Sequence, residues 1–358
     1  MSSIERDDII DIMKGILILS VVAGHAQIPV HRYIYLFHMA VFFMISGFLW
    51  NSVQIRRSLP IFIHKRLHDL YLPFIYSNVF FCVLDGIAPG VFDHGTKVKS
   101  LGNFGVHLIK ILLFQGRMTL SDATWFLYAL FTSSIVYFLL LTLSKRNKHT
   151  DIINIVLIVI TFVISCVASN AGFNYYEFGT ICSAIVCLWL GDTARQCAVK
   201  IQEQYFRGNT VYQGSMYLIL GGSILTALLF IRSEEIQFVE NIIINPMYFL
   251  IATIAGWLFV KGVALLIYCS ETVLKRFLTI LGVNSLPIMC LHMLGFKITA
   301  YLQCRIYHKS YSMISNYPIA FNVRGWWIIY TFFGITIPLT YIFLFRQISG
   351  KIKRKVIN

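Results

Sequence analysis

A chain of 358 residues with 57% hydrophobic and only 13% charged residues is too apolar for a soluble globular domain, whose charged fraction is nearer a quarter. Its mean hydropathy of +0.71 points instead to a multi-spanning membrane protein set in a lipid bilayer. The net charge of +14 would suit nucleic acid, but the basic residues lie mostly between apolar runs and in the tail Lys351, Lys353, Arg354 and Lys355. There they read as an orientation signal, and no nucleic-acid partner is expected.

In chain order, the apolar runs predict an all-α integral membrane protein with about ten transmembrane helices, at the usual 20 or so apolar residues per span. They fall near residues 9–28, 33–52, 70–88, 124–143, 152–169, 178–194, 215–231, 247–267, 277–296 and 326–346. A weaker apolar stretch, 104–114, reads as interfacial or re-entrant. No cleavable signal peptide is expected, because Glu5, Arg6, Asp7 and Asp8 precede the first run and no small-residue cleavage site follows it. Repeats, low-complexity tracts and an appended soluble domain are absent from the pattern, so residues 1–358 read as one membrane domain. The eight cysteines stand singly, mostly in apolar runs, and support neither a zinc site nor a disulfide framework. No metal is expected.

Lys and Arg in alternate connections give the orientation. With the N-terminus inside, the cytoplasmic segments hold Arg6, Lys14, Arg56, Arg57, Lys65, Arg66, Lys145, Arg146, Lys148, Arg195, Lys200, Arg207, Lys275, Arg276 and the basic tail. That is roughly twice the number outside, so both termini are predicted to be cytoplasmic. Arg56 and Arg57 read as anchors of this kind.

Depth then gives the histidines meaning. Ionisable residues inside membrane spans are functional candidates by default, and His25, His38 and His292 all fall in the outer third of their spans. At the inner end of the first span Asp11 and Lys14 form an i,i+3 pair. Eleven residues, about 16 Å of helix, part Lys14 from His25. A basic inner cluster of Lys14, Lys65 and Arg66 would hold the phosphates of a cytoplasmic donor, while a long arm carries a thioester to the histidines. Coenzyme A has that shape. A neutral imidazole would take a proton from an acceptor hydroxyl, and His38, His292 or Asn284 would stabilise the developing oxyanion.

Each residue also has a plainer reading. On that reading the histidines serve only as hydrogen-bonding bridges between helices. Trp125 opens the fourth span, either as part of an aromatic belt or as a contact for substrate. Asn284, three residues before Pro287, either satisfies backbone freed by a kink or contacts substrate. Ser46 and Gly47 read as a close helix contact.

The pattern is also specific. Arg6-Asp7-Asp8 through Lys14-Gly15, then Gly24-His25, Phe37-His38 and Ser46-Gly47-Phe48-Leu49 resemble the opening of the membrane acyltransferase 3 family. Lys65-Arg66 before Leu72-Pro73-Phe74, Thr124-Trp125-Phe126-Leu127-Tyr128, and Leu281-Gly282 with Asn284-Ser285 and His292 continue it over the whole chain. These blocks also resemble the branch that O-acetylates bacterial surface sugars, including fucose 4-O-acetylase-like proteins. The resemblance implies an acyl-CoA donor such as acetyl-CoA, a carbohydrate acceptor (surface polysaccharide or lipid-linked glycan), the cytoplasmic membrane, and His25 as the key histidine. Two departures stand out. Many members carry two arginines just before the third span, where this chain has Lys65-Arg66, and Lys14 stands where many have arginine. The competing class is a transporter or exporter without chemistry. It has no need of a phosphate-binding inner mouth, and the chain lacks the paired broken spans of inverted-repeat carriers.

Overall fold

The computed structural model describes residues 8–50, 58–87, 101–144, 150–205, 209–231, 236–243 and 245–357, and of 101, 150, 199, 200, 202, 203 and 348–357 the backbone alone. Its elements are helices: α1 Asp8–His25, α2 His31–Tyr35, α3 His38–Phe48, α4 Leu59–Arg66, α5 Leu72–Ile87, α6 Leu101–Leu112, α7 Trp125–Ser144, α8 Thr150–Asn170, α9 Phe178–Tyr205, α10 Thr210–Ile231, α11 Pro246–Tyr268, α12 Val273–Val283, α13 Ser285–Ile306 and α14 Trp326–Ile357. Among the described residues, seven helical stretches are long and apolar enough to cross a membrane: Leu59–Ile87, Thr119–Ser144, Asp151–Asn170, Thr210–Ile231, Pro246–Tyr268, Ser285–Ile306 and Trp326–Gln347. The chain is a multi-pass membrane protein.

Three expected spans are not among the seven, for visible reasons. The first, α1, carries Asp8, Asp11 and Lys14 within its 18 residues. The second is broken, since Phe37 at φ −140° parts α2 from the 11-residue α3. The sixth, α9, turns polar from Asp192 and Arg195 onward.

Two boundaries also move. The helix expected at 70–88 begins at Leu59 and passes through a π turn, Leu67–Tyr71, in which the Leu72 N–H reaches back to Leu67 O. Pro73 has no N–H and its ring crowds the carbonyl four residues back, so a wider turn there relieves a clash. The helix expected at 277–296 is two helices meeting at Asn284, and α13 runs on to Ile306. Pro287 sits in the first turn of α13, where its missing N–H is no loss. Lys297, expected in an outer connection, lies inside α13 and is buried. Arg6, Arg56, Arg57, Lys145, Arg146, Lys148 and Arg207, which contribute to the expected orientation, lie outside the described residues.

The chain divides into two compact units, each assembled from three segments: residues 1–17, 30–72 and 125–283 in the first, and residues 18–29, 73–124 and 284–358 in the second. In the first unit, helices cross at glycines. A Cβ at Gly47 would meet the carbonyl of Leu188, and one at Gly191 that of Met44, so α3 and α9 touch backbone to backbone. Gly15 and Gly282 do the same between α1 and α12, against Leu278 and Asp11. Between apolar helices in lipid, such small-residue contacts supply dispersion that bulk hydrophobicity does not. Asn245 starts α11 with its side-chain oxygen accepting from the N–H groups of Met247 and Tyr248, a cap with Pro246 in the first turn.

In the second unit α13 and α14 meet where Gly295 faces the Phe333 carbonyl and Gly334 faces the Phe296 ring. Buried Asn78 gathers the turn ahead of α7, donating to Thr124 Oγ1 (3.1 Å) and accepting from the Met118 N–H (2.9 Å) and Ser121 Oγ (2.5 Å). Lys297 donates to the carbonyls of Ile314 (2.8 Å) and Asn316 (2.7 Å), fixing the 3₁₀ turn Tyr311–Ser315 and the start of the loop after it on α13.

Candidate active site

His25 is the last residue of α1, and the way that helix ends places it. The N–H of Ile28 bonds to Ala23 O (3.1 Å) and that of Gln27 to Gly24 O (3.0 Å), while Gln27 adopts φ +59°. This pairing, with a left-handed residue just past the end, is a Schellman stop. A glutamine held there rather than a glycine is a strained choice.

In the same unit, α13 presents His292 to it, the two ring centroids standing 5.3 Å apart at 32°. Nδ1 of His292 lies 2.9 Å from Met289 O and 3.2 Å from Ile288 O. A carbonyl oxygen only accepts, so Nδ1 carries the hydrogen and donates it, and in the neutral ring the lone pair stands on Nε2. Nε2 is buried and has no hydrogen-bond partner among the described residues. Phe296, one turn further along α13, puts its ring edge-on to His292 at 5.7 Å and fixes the imidazole plane. His292 is fully buried and His25 half-buried. The second unit thus contains an oriented imidazole with an unused lone pair beside a half-buried imidazole.

Asn284, also in this unit, caps α13 without bonding to its N–H groups. Its side-chain oxygen instead accepts from Arg346 Nη2 of α14 at 3.1 Å.

The remaining expected residues belong to the first unit. His38 opens α3 just past the break, and its Nδ1–H donates to Ile34 O (2.9 Å). The ring of Tyr35 lies 4.9 Å from it. Here too the lone pair is left on Nε2. Lys14 and Asp11 pair at 3.6 Å, the carboxylate much the more buried of the two. Lys65 is exposed. Arg66 folds its guanidinium over two rings, 5.5 Å from Trp50 and 5.0 Å from Phe62. Trp50 is itself tied down, since its carbonyl accepts from Arg195 Nη1 at 2.6 Å. Trp125 is 7% exposed and packs in an aromatic cluster with Phe43, Phe126 and Phe238.

Three contributors are not visible from residue type alone. Phe296 stands four residues from His292, a spacing that marks a same-face neighbour on a helix. Arg346 lies 62 residues from Asn284 and Arg195 lies 145 residues from Trp50, and no sequence spacing links either pair.

Comparison with known proteins adds a family. A model described as an acyltransferase domain matches residues 7–345. The nodulation protein NolL of Mesorhizobium japonicum is 28% identical over 155 residues, 40% of this chain and 38% of that protein. NolL of Sinorhizobium fredii is 30% identical over 144 residues, 37% of this chain and 36% of that protein. The chain therefore spans well under half the length of the curated relatives it matches. No solved structure matches it.

Proposed function

The chain belongs to the acyltransferase 3 family, and we propose that it is a membrane O-acetyltransferase. On this reading it moves an acetyl group from cytoplasmic acetyl-CoA to a hydroxyl of a surface polysaccharide or its lipid-linked precursor, and it resides in the cytoplasmic membrane with both termini inside.

The histidine pair carries this reading. Of the two rings, half-buried His25 is the one an acceptor hydroxyl reaches. His25 takes the hydroxyl proton as the oxygen attacks the thioester carbonyl. The Nε2 lone pair of His292, held by the Nδ1–H bonds to Met289 and Ile288, stabilises the positive charge that then develops on His25. Collapse of the tetrahedral intermediate breaks the C–S bond, and His25 returns the proton to the departing sulfur. One C–O bond forms, one C–S bond breaks, and one proton passes from hydroxyl to thiol. The donor's phosphates are assigned to Lys14, Lys65 and Arg66, with Asp11 holding Lys14 in place, because cations that keep N–H donors available suit phosphate oxygens.

The test compares surface polysaccharide from cells with the intact gene and from cells carrying His25→Ala, by mass and proton spectra before and after mild base. A base-labile acetyl group present only with the intact gene is the expected result. Glycan that is chemically unchanged but less abundant at the surface would give the exporter reading the lead.

A further inference from the structure

The second unit contains a cavity of about 310 Å³ that the acyl-transfer reading does not use. Its walls are one face of each of three helices: Pro73, Tyr76, Ser77 and Phe80 of α5, the 286–294 face of α13, and Ile337, Pro338 and Tyr341 of α14. Each helix contributes a proline. The cause of the gap is local. α13 and α14 touch backbone to backbone at Gly295 and Phe333, and one turn beyond that contact Pro338 interrupts the hydrogen bonds of α14. A proline inside a helix leaves the carbonyl four residues back unpaired and bends the helix, so the two helices part below their crossing.

The chamber is separate from the histidines. Cys290 lines it, and His292, two residues on, is turned about 200° around α13. Its interior is apolar, because Ser77 turns its hydroxyl to the carbonyls of Pro73 and Phe74. The side that opens is lined by exposed Tyr76, Phe80 and Tyr341, which in a membrane face lipid. Between Leu286 and Leu294 the wall extends for about 12 Å of helix.

One end of this chamber carries a charge. Asn284, two residues before Leu286, anchors the guanidinium of Arg346, which lies five residues beyond Tyr341 on α14. Asn284 uses one of the five N–H donors of Arg346, and the residue is exposed. The same helix continues through Lys351, Lys353, Arg354 and Lys355, and basic segments at a membrane surface attract anionic lipid. An apolar slot open to lipid, with a fixed cation at one end, matches a molecule with one long chain and an anionic head.

We propose that this cavity is a binding site for an anionic phospholipid, with an acyl chain between α5, α13 and α14 and its phosphate on Arg346. The proposal does not depend on the acyl-transfer reading, and its test reads lipid binding rather than activity. Full-length protein purified in detergent is titrated with phosphatidylglycerol or phosphatidylcholine of equal chain length, and bound lipid is counted by native mass spectrometry. Wild type should retain phosphatidylglycerol about tenfold better. Arg346→Gln should abolish that preference and Arg346→Lys should restore most of it, while Leu294→Trp, which fills the chamber, should reduce retention of both lipids. The proposal is overturned by equal retention of the two lipids in wild type, by phosphatidylglycerol binding that survives both Arg346→Gln and Leu294→Trp, or by tighter binding of a polyprenyl phosphate than of phosphatidylglycerol.

Discussion

The imidazoles of His25 and His292 stand 5.3 Å apart, and the second is held in a single tautomer by the backbone of its own helix. This arrangement separates the two roles experimentally. An asparagine amide can replace Nδ1–H as donor to Met289 O but has nothing at the position of Nε2. His292→Asn should therefore leave the protein folded and lower kcat for acyl transfer by about 10²-fold, towards the lower end of general-base effects. His25→Ala should lower it by about 10³-fold or more. Transfer from labelled acetyl-CoA in proteoliposomes, with thermal unfolding as the control for folding, measures both. Full activity in His292→Asn would remove the lone pair from the mechanism. His38→Asn is the parallel experiment in the first unit.

Arg66 tests the donor assignment. Its guanidinium is stacked on Trp50 and Phe62, which fixes a long side chain that would otherwise lose rotamer freedom on binding a phosphate. Lysine keeps the charge but loses the planar fork and most of the stacking. Arg66→Lys should raise KM for acetyl-CoA about tenfold with little change in kcat, the loss of about 1–2 kcal/mol expected for a partly desolvated cation–π contact and its fork. The KM for the acceptor should stay constant. A change confined to kcat would place Arg66 outside donor binding.

Much of this architecture was legible before any coordinates, because a membrane span announces itself by composition. The ends of α7, α8, α10 and α11 fall within a few residues of their apolar runs. What composition hides is a break inside an apolar run. Asn284 parts two helices of similar hydropathy, Phe37 is itself apolar and gives no sign of the break it makes, and a π turn is a backbone feature that residue hydropathy does not report. The site divides in the same way. His25 was visible from its depth and its motif, and Asp11 with Lys14 from i,i+3 spacing. The anchoring of Asn284 by Arg346 and the restraint of Trp50 by Arg195 depend on pairs 62 and 145 residues apart. The backbone hydrogen bonds that choose the tautomer of His292 have no counterpart in residue type.

The crossing of α3 and α9 should tolerate no side chain at its centre. A Cβ at Gly47 meets the Leu188 carbonyl, and one at Gly191 meets the carbonyl of Met44 and the N–H of Phe48. These contacts are backbone, which cannot rotate away as a flexible side chain can. Gly47→Ala and Gly191→Ala should each cost about 1–3 kcal/mol, the range for overpacking a well-filled core. Gly105→Ala, where the added Cβ meets nothing within 4 Å, is the matched control. Unfolding in detergent with increasing denaturant would order the three, and a Gly47→Ala protein as stable as Gly105→Ala would contradict the crossing.

Lys297 gives the sharpest case of a charge acting structurally rather than chemically. Its ammonium is buried and bonds the carbonyls of Ile314 and Asn316. The same loop is held further along by Tyr330, which accepts from the Ala320 N–H and donates to Gln303 Oε1, and by Gln303 donating to Phe321 O. Removing the ammonium while keeping the stem, as in Lys297→Met, leaves two carbonyls without that donor. Each unsatisfied buried acceptor costs about 1–3 kcal/mol and two roughly twice that, and relief of the lysine's own desolvation offsets part of the sum, so the net loss should be about 1–3 kcal/mol. The loss should also be local, because the ties to Gln303 and Tyr330 remain. Limited proteolysis should therefore cut Lys297→Met between residues 309 and 317 well before the wild type, while cleavage elsewhere keeps its rate. Uniformly faster cleavage would mean that Lys297 supports the whole helical unit, and unchanged cleavage that the ammonium does not hold the loop.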